Sequence, residues 1–219
     1  MPARNEEKRN EILSVAYRLF SDACFDKVSL AEIAKGADIN KSLLQHYFPT
    51  KSDIIIKLLT DVLDYSFMYM DRMPYDYRDL FQKISDFDML FFKAAEHDER
   101  FDQFIMSSVS QPELLDVWID IICRWLHRLC GTETFSWLQL RTAICFSMGG
   151  SMHLFQHKDE LGLDYRFICS NHIVSILHLL NYDPQIIKNI CATTSSRERE
   201  FSIPQFLQYL SERIPWFKF

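Results

Sequence analysis

The sequence predicts an all-α protein. Only five of its 219 residues are glycine, strand-like alternation of apolar and polar residues is scarce, and apolar residues instead recur at helical spacing. Apolar residues make up 48% of the chain and aromatic residues 14%, which is typical of a soluble globular protein with a substantial core. No apolar run approaches the ~18 residues that a membrane span needs, and the polar N-terminus has no secretory core. We therefore expect a cytoplasmic protein with no membrane partner.

Two helices are predicted within the first 37 residues. The first has an apolar stripe at helical spacing, formed by Ile12, Leu13, Ala16, Leu19 and Phe20, and should end between residues 21 and 25. Ser29 and Glu32 have the spacing of a capping box and open a short second helix. Gly36, Ala37 and Asp38 then supply a turn, because glycine, and less readily aspartate, tolerates a left-handed backbone.

A third short helix is predicted in the segment INKSLLQHYFPTK, residues 39–51. Asn40 is its predicted N-cap and Pro49 ends it. One face is apolar and the other polar; the apolar face comprises Leu43, Leu44, Tyr47 and Phe48, and the polar face Lys41, Ser42, Gln45 and His46. Two short helices joined by a tight turn and braced by a longer helix form a helix-turn-helix, whose second helix enters the DNA major groove. The alternative is an ordinary solvated helix face.

Lys51 lies at the start of a fourth helix, which Thr50 and Asp53 cap and which should run to about residue 72. The helix dipole disfavours a cation in a first turn by up to ~1 kcal/mol. A lysine there makes sense if an anion such as a DNA phosphate completes the site. The alternative is a surface lysine that points away from the helix end.

Apolar residues at helical spacing in the rest of the chain predict further helices at about 75–96, 99–107, 111–129, 134–157, 165–180, 184–192 and 203–213. Residues 193–200 are predicted to be a polar connector. Caps just before proline support three of these starts, at residues 110–112, 183–184 and 202–204. The six cysteines are far apart and mostly within apolar patterns, so we expect buried side chains rather than a disulfide or zinc framework.

The net charge of −6 is unevenly distributed. Residues 1–53 carry eight basic and eight acidic side chains, so the excess of acidic residues lies downstream. This distribution permits DNA binding by the N-terminal part. Arg4, Lys8 and Arg9 could reach an adjacent phosphate or the minor groove there, or belong to a disordered basic tail.

Residues 29–51 resemble the DNA-binding signature of the tetracycline-repressor (TetR) family of bacterial transcriptional regulators. The matching positions are Ser29 (for threonine), Ile33, Ala34, Ala37, Ile39 (for valine), Leu44, Tyr47, Phe48 and Lys51. Three positions depart from the family pattern: Asp38 and Ser42 stand where the family has glycine, and Gln45 stands where it has a tyrosine that commonly contacts the DNA backbone.

The resemblance implies a role for each residue of the N-terminal module. Ser29 and Lys51 would contact phosphates, which positions the module without reading sequence. Lys41, Ser42, Gln45 and His46 would face the groove, where glutamine can still donate to a phosphate or pair with adenine. Tyr47 would be shared between the core and a backbone contact.

The resemblance also divides the chain into a DNA-binding domain, residues 1–53, and a ligand-sensing and dimerisation domain, residues 54–219. A homodimer would pair through the helices at about 134–157 and 165–180, where Gly149 and Gly150 indicate close packing. The alternative is that this face packs within its own subunit. Aromatic segments at 87–92, 101–106 and 118–125 could line a cavity for an unidentified apolar or aromatic effector.

The resulting prediction is a ligand-responsive repressor on a palindromic operator, with neither cofactor nor enzymatic activity. His153 and His157 have zinc-like spacing, but no third ligand accompanies them in the sequence. The alternative is a helical protein-interaction adaptor whose DNA-binding face has decayed.

Overall fold

The computed structural model describes residues 2–109, 111–130 and 134–218, apart from the side chains of residues 2–4 and 130. Its regular elements within those ranges are all helical, as predicted. The α-helices are α1 (Pro2–Asp22), α2 (Leu30–Gly36), α3 (Lys41–Tyr47), α4 (Lys51–Tyr69), α5 (Leu80–His97), α6 (Glu99–Ser108), α7 (Pro112–Cys130), α8 (Trp137–Gln156), α9 (Lys158–Leu161), α10 (Tyr165–Leu179), α11 (Pro184–Arg197) and α12 (Ile203–Arg213). Short 3-10 turns span Phe25–Lys27, Met70–Arg72 and Glu198–Glu200. Over the described ranges, no helix is both long and apolar enough to cross a membrane.

The helices pack as a small N-terminal group continuous with a larger C-terminal one. Helix α1 contacts α2 and α4 on one side and α6 on the other, so it belongs to both groups. Helix α5 lies at the centre of the larger group, against α6, α10 and α11, and residues 83–92 along it are all buried. Helix α8 packs between α7 and α10. A helix surrounded on all sides is expected to be apolar around most of its circumference, which fits the phenylalanine-rich sequence of α5.

The local signals predicted the helix starts of the N-terminal part correctly. Ser29 and Glu32 form the predicted capping box, and Thr50 and Asp53 form the second one. Asn40 caps α3 through a 2.8 Å hydrogen bond that its side-chain oxygen accepts from the Leu43 N–H. These caps depend on residues three positions apart, and the sequence contains both partners.

Several predicted boundaries in the C-terminal part were wrong. The predicted connector 193–200 is helical to Arg197, because Thr194 is buried and its hydroxyl donates to the Asp86 carboxylate over 2.6 Å. Helix α5 begins at Leu80, where Asp79 caps it, rather than near residue 75, and α8 begins at Trp137 after its own capping box at Ser136. Cys123 and Cys169 are buried as expected, but Cys191 is only partly buried, and Cys24 and Cys145 are exposed. The predicted cap at Ser110 lies outside the described residues.

The segment after α12 is packed into the core, which the sequence did not predict. Ile214, Trp216 and Phe217 are each at most 1% exposed. The rings of Trp216 and Phe217 contact Tyr17 of α1, and the Trp216 indole N–H donates to Asp61 of α4 over 2.9 Å. The end of the described chain therefore connects α1 to α4.

Candidate nucleic-acid interface

The turn between α2 and α3 depends on Asp38 and Gly36 in different ways. Asp38 has the left-handed backbone expected of this turn, with φ of 50°, and the Ile39 N–H donates back to the Ala34 carbonyl over 3.0 Å. Gly36 is still helical, but a Cβ atom there would lie 2.6 Å from Cγ1 of Val15 in α1. The turn chemistry predicted for the pair therefore applies to Asp38, whereas Gly36 permits the close approach of α2 to α1.

Helix α3 is anchored on one side and presents polar groups on the other. Leu44 and Phe48 are buried, at 0% and 1% exposure. The four residues predicted to face a groove are all exposed: Lys41, Ser42, Gln45 and His46. The structure thus brings them together on one surface of a single short helix, and Tyr47 lies half-buried beside them.

Leu43 is the residue of α3 that the sequence pattern misplaced. It was predicted to lie on the apolar face, but it is 40% exposed and belongs to the polar surface. Adjacent residues in a helix point about 100° apart, and in α3 it is Leu44 that points into the core, at 0% exposure. An exposed leucine beside polar side chains can contact the methyl group of thymine.

Lys51 points back into the N-terminal module. Its Nζ donates to the carbonyl oxygens of Phe25 and Val28, over 2.6 and 2.8 Å, and lies 4.0 Å from the centroid of the Phe25 ring. Burial lowers the pKa of this ammonium, and the nearby Asp26 and Glu32 carboxylates oppose that effect. Lys51 thereby ties the start of α4 to the segment between α1 and α2.

Ser29 is engaged by its own helix. Its hydroxyl donates to the Glu32 carboxylate over 2.7 Å and accepts from the Glu32 N–H, while the Ser29 N–H also donates to that carboxylate. These hydrogen bonds lower the pKa of Glu32. A contact of the Ser29 hydroxyl with phosphate would require Glu32 to release it.

Arg9 of α1 contacts Phe48, the residue that follows α3, whereas the side chain of Arg4 lies outside the described residues. The Arg9 guanidinium lies 4.5 Å from the centroid of the Phe48 ring, and the side chain remains exposed. Lys8 instead pairs with Glu11 one turn along the helix. Because the backbone is helical from Pro2 onward, Arg9 is held on a regular helix and not on a disordered tail.

The described part of the chain contains no group of three or more His, Cys, Asp or Glu side chains placed to hold a metal ion. The exposed surface of α3 can instead form hydrogen bonds to base edges through its amide, hydroxyl and imidazole groups, and can pair with phosphates through Lys41. A surface with these groups on a braced helix is suited to the major groove.

Comparison with known proteins agrees with this geometry. A family model described as bacterial regulatory proteins of the tetR family matches residues 12–58. The HTH-type transcriptional regulator HbdR of Aromatoleum is 36% identical over 63 residues, which cover 29% of this chain and 28% of that protein. The HTH-type transcriptional repressor KstR2 of Mycolicibacterium smegmatis is 25% identical over 135 residues, covering 55% of this chain and 66% of that protein. The matches thus span less than two thirds of these relatives.

Solved structures resemble the fold over most of its length. The crystal structure of RolR in complex with the ligand resorcinol has a TM-score of 0.64 and 17% identity, and the match covers 87% of this chain and 96% of that one. The structure of TylP, a tetR regulator from Streptomyces fradiae, has a TM-score of 0.54 and 16% identity, covering 96% of this chain and 99% of that one. At these identities the likeness concerns the fold alone.

Proposed function

We propose that the chain is a member of the TetR family of bacterial regulatory proteins, whose model matches residues 12–58, and that it is a DNA-binding transcriptional regulator that acts as a ligand-responsive repressor. The observation that carries the proposal is the exposed polar surface of α3, on a helix anchored by Leu44 and Phe48. Residues 1–53 would be the DNA-binding domain and residues 54–219 the ligand-sensing and dimerisation domain.

In this proposal Lys41, Ser42, Gln45 and His46 contact base edges or phosphates in the major groove, and Leu43 adds an apolar contact. Gln45 stands where many family members have tyrosine, and its amide can pair with adenine through two hydrogen bonds. The half-buried Tyr47 would contact the DNA backbone from the end of the helix.

Lys51 would serve both the fold and the DNA. An ammonium has three N–H donors, and two of them are directed to the carbonyls of Phe25 and Val28. The third can donate to a phosphate near the start of α4, where the free backbone N–H groups also favour an anion. Ser29 would act mainly by fixing the start of α2, because Glu32 holds its hydroxyl.

A homodimer would place two such modules on one operator. Helix α8 exposes Leu138 and Phe146, at 73% and 72%, and the neighbouring α10 exposes Phe167 at 50%. A Cβ atom added to Gly149 or Gly150 would meet nothing within 4 Å, so the backbone of α8 is open to close approach by another helix. We call these exposed residues the α8–α10 surface and infer that it pairs across a two-fold axis.

Two modules related by a two-fold axis would bind half-sites about one helical turn, ~34 Å, apart. A small molecule in the C-terminal part would release DNA if it favoured a different separation of the modules, as a population shift. RolR, which has a similar fold, is known in complex with the aromatic ligand resorcinol. We infer that the effector here is also a small apolar or aromatic molecule.

Affinity for the DNA upstream of the gene, measured by fluorescence anisotropy at several salt concentrations, tests the proposal. Selective binding should weaken steeply with salt, and Lys41→Ala and Gln45→Ala should each weaken it. Lys188→Ala is the matched control, because it removes the same charge as Lys41→Ala from an exposed position on α11. Selective binding that Lys41→Ala and Gln45→Ala leave unchanged would refute the proposed DNA surface. Absence of selective, salt-dependent binding by the unmodified chain would favour the adaptor alternative.

A further inference from the structure

The core of the C-terminal part contains a histidine with one ring nitrogen left unpartnered. His172 of α10 is 3% exposed, and its Nδ1 lies 2.9 Å from a carboxylate oxygen of Asp88 in α5, which is 4% exposed. The Nε2 atom of the same ring is buried and has no hydrogen-bond partner in the structure. A buried polar atom without a partner is uncommon in folded proteins and requires an explanation.

Packing alone does not explain this histidine. The Asp88 contact could serve to join α5 to α10, but it uses Nδ1 and leaves Nε2 without a role. An apolar side chain of similar size would fill the same space without burying an unpaired nitrogen. A histidine at residue 172 is therefore better explained by a ligand that forms a hydrogen bond with Nε2.

His172 and Asp88 are the polar part of the wall of a small enclosed cavity. The rest of that wall is apolar, and its members are Phe67 of α4, Phe87 of α5, Trp125 of α7 and three isoleucines. The open volume is only ≈ 10 Å³, about the minimum for one water molecule. An organic ligand must therefore enlarge the cavity to enter it.

The wall nearest to solvent is a pair of stacked aromatic rings. Phe67 and Trp125 lie with their ring centroids 4.4 Å apart, nearly parallel, and each keeps 8% exposure. The Lys83 ammonium lies 4.4 Å from the centroid of Phe67 and pairs with Asp71. A flat ring could enter by separating this stack and taking the place of one partner, which retains the aromatic contact.

The polar groups define the chemistry of the ligand. The Asp88 carboxylate can only accept, so in the neutral ring of His172 it selects the tautomer with hydrogen on Nδ1, in which Nε2 is an acceptor. A ligand hydroxyl can donate to that nitrogen, while its ring packs against the aromatic wall. A carboxylate ligand would bury a second negative charge beside Asp88 and is therefore disfavoured.

From these contacts we propose that the cavity binds a small neutral aromatic alcohol, a phenol, whose hydroxyl donates to Nε2 of His172. Binding of the phenol does not depend on DNA, but an effect of the phenol on DNA binding rests on the proposed function. Phe67 lies on α4, as does Asp64, which accepts a 3.0 Å hydrogen bond from the Trp125 indole. Opening the stack would thus move the helix that begins at Lys51 in the DNA-binding module.

Titration calorimetry of the full chain with phenol, toluene and benzoate tests the site without any substitution. A hydrogen bond to a buried, otherwise unpaired nitrogen should make phenol bind about tenfold or more tightly than toluene, with benzoate weaker than both. Equal affinity for phenol and toluene would overturn recognition by His172. No binding of either at millimolar concentration would overturn the cavity as a ligand site.

Substitution of His172 tests whether its Nε2 atom accounts for the preference for phenol over toluene. His172→Phe should reduce the preference for phenol over toluene to about twofold or less, whereas His178→Phe, at an exposed position on the same helix, should leave it unchanged. Retention of the preference in a folded His172→Phe protein would contradict the assignment. If that variant fails to fold, the ligand series on the unmodified chain still decides the proposal.

DNA affinity, measured with and without phenol, separates the two proposals. Phenol binding by a protein with no affinity for DNA would support the site and refute the regulator. Selective DNA binding by a protein that does not bind phenol would support the proposed regulator function and refute the proposed phenol site. Phenol-induced release of DNA, lost in His172→Phe, would support both.

Discussion

At the scale of single residues, the contacts of Lys51 alter the meaning of a lysine in the first turn of a helix. The dipole of α4 disfavours a cation there. Two backbone carbonyls and the face of the Phe25 ring offset this by surrounding the ammonium with negative partial charge. The lysine therefore helps to hold the module together before any DNA arrives.

Lys51→Ala should lower both the free energy of unfolding and the affinity for DNA. The loss of two charge-assisted hydrogen bonds corresponds to about 1–3 kcal/mol. Lys41→Ala should weaken DNA binding while changing the free energy of unfolding by less than about 0.5 kcal/mol, because Lys41 is exposed. Urea unfolding of the two variants measures the difference. Equal stability of Lys51→Ala and the unmodified chain would show that the carbonyl contacts contribute nothing.

Residue types at fixed spacing made the exposed surface of α3 and the starts of the neighbouring helices predictable. The exposure of Lys41, Ser42, Gln45 and His46 follows from helical periodicity, and both capping boxes follow from residues three apart. The direction of the Lys51 side chain could not be predicted, because its acceptors lie 23 and 26 residues earlier in the chain. No local pattern specifies a contact of that kind.

At the scale of elements, helix α11 shows how burial overrides a polar sequence. Its final turns carry threonine, serine and arginine, which in isolation favour a connector. In the structure Thr194 and Arg197 both reach the buried Asp86 carboxylate of α5, the latter over 2.7 Å. Hydrogen bonds to a distant helix thus extend α11 beyond its apolar pattern.

The α8–α10 surface gives a prediction at the same scale. Phe146→Glu should convert a dimer into a monomer at micromolar concentration, because a carboxylate would have to be desolvated in the centre of the interface. Ile186→Glu introduces the same charge at another exposed apolar position, on α11, and should leave the dimer intact. Analytical ultracentrifugation distinguishes the two. A dimeric Phe146→Glu protein would place the subunit interface elsewhere.

At the scale of the whole molecule, Glu198 joins three parts of the C-terminal bundle. Its carboxylate accepts hydrogen bonds from Tyr165 and Arg166 of α10 and pairs with Lys93 of α5 over 2.9 Å. Burial acts to raise its pKa, but these partners outweigh burial and lower the pKa to about 2. The carboxylate is thus more easily ionised in the folded chain than in the unfolded one.

The pKa of Glu198 predicts how stability depends on acid. Because the folded pKa lies below the unfolded value of about 4.5, the stabilisation is complete above pH 4.5 and is lost as the pH falls towards 2. At about 1.4 kcal/mol per pKa unit, this stabilisation amounts to at most about 3.5 kcal/mol. Glu198→Gln should therefore destabilise the protein at pH 7 and have little effect near pH 2. Glu212→Gln, an exposed control, should be neutral at both; a pH-independent Glu198→Gln defect would contradict the assignment.

Helix α4 connects the proposed activities along the length of the molecule. It begins at Lys51 in the DNA-binding module, contacts the C-terminal segment through Asp61, and reaches the cavity at Phe67. A single helix that contributes to all three places could transmit a change at the cavity to the spacing of the two modules in the proposed homodimer. This coupling requires that the ligand prefer one arrangement of α4 to another.

Selection of DNA from a random duplex pool tests the central proposal most directly. We expect enrichment of a two-fold symmetric sequence whose half-sites lie about one helical turn apart. Lys41→Ala and Gln45→Ala should reduce or redirect the enrichment, and Lys188→Ala should not. Failure to enrich any sequence, or enrichment that the α3 substitutions leave unchanged, would contradict the claim that α3 reads an operator.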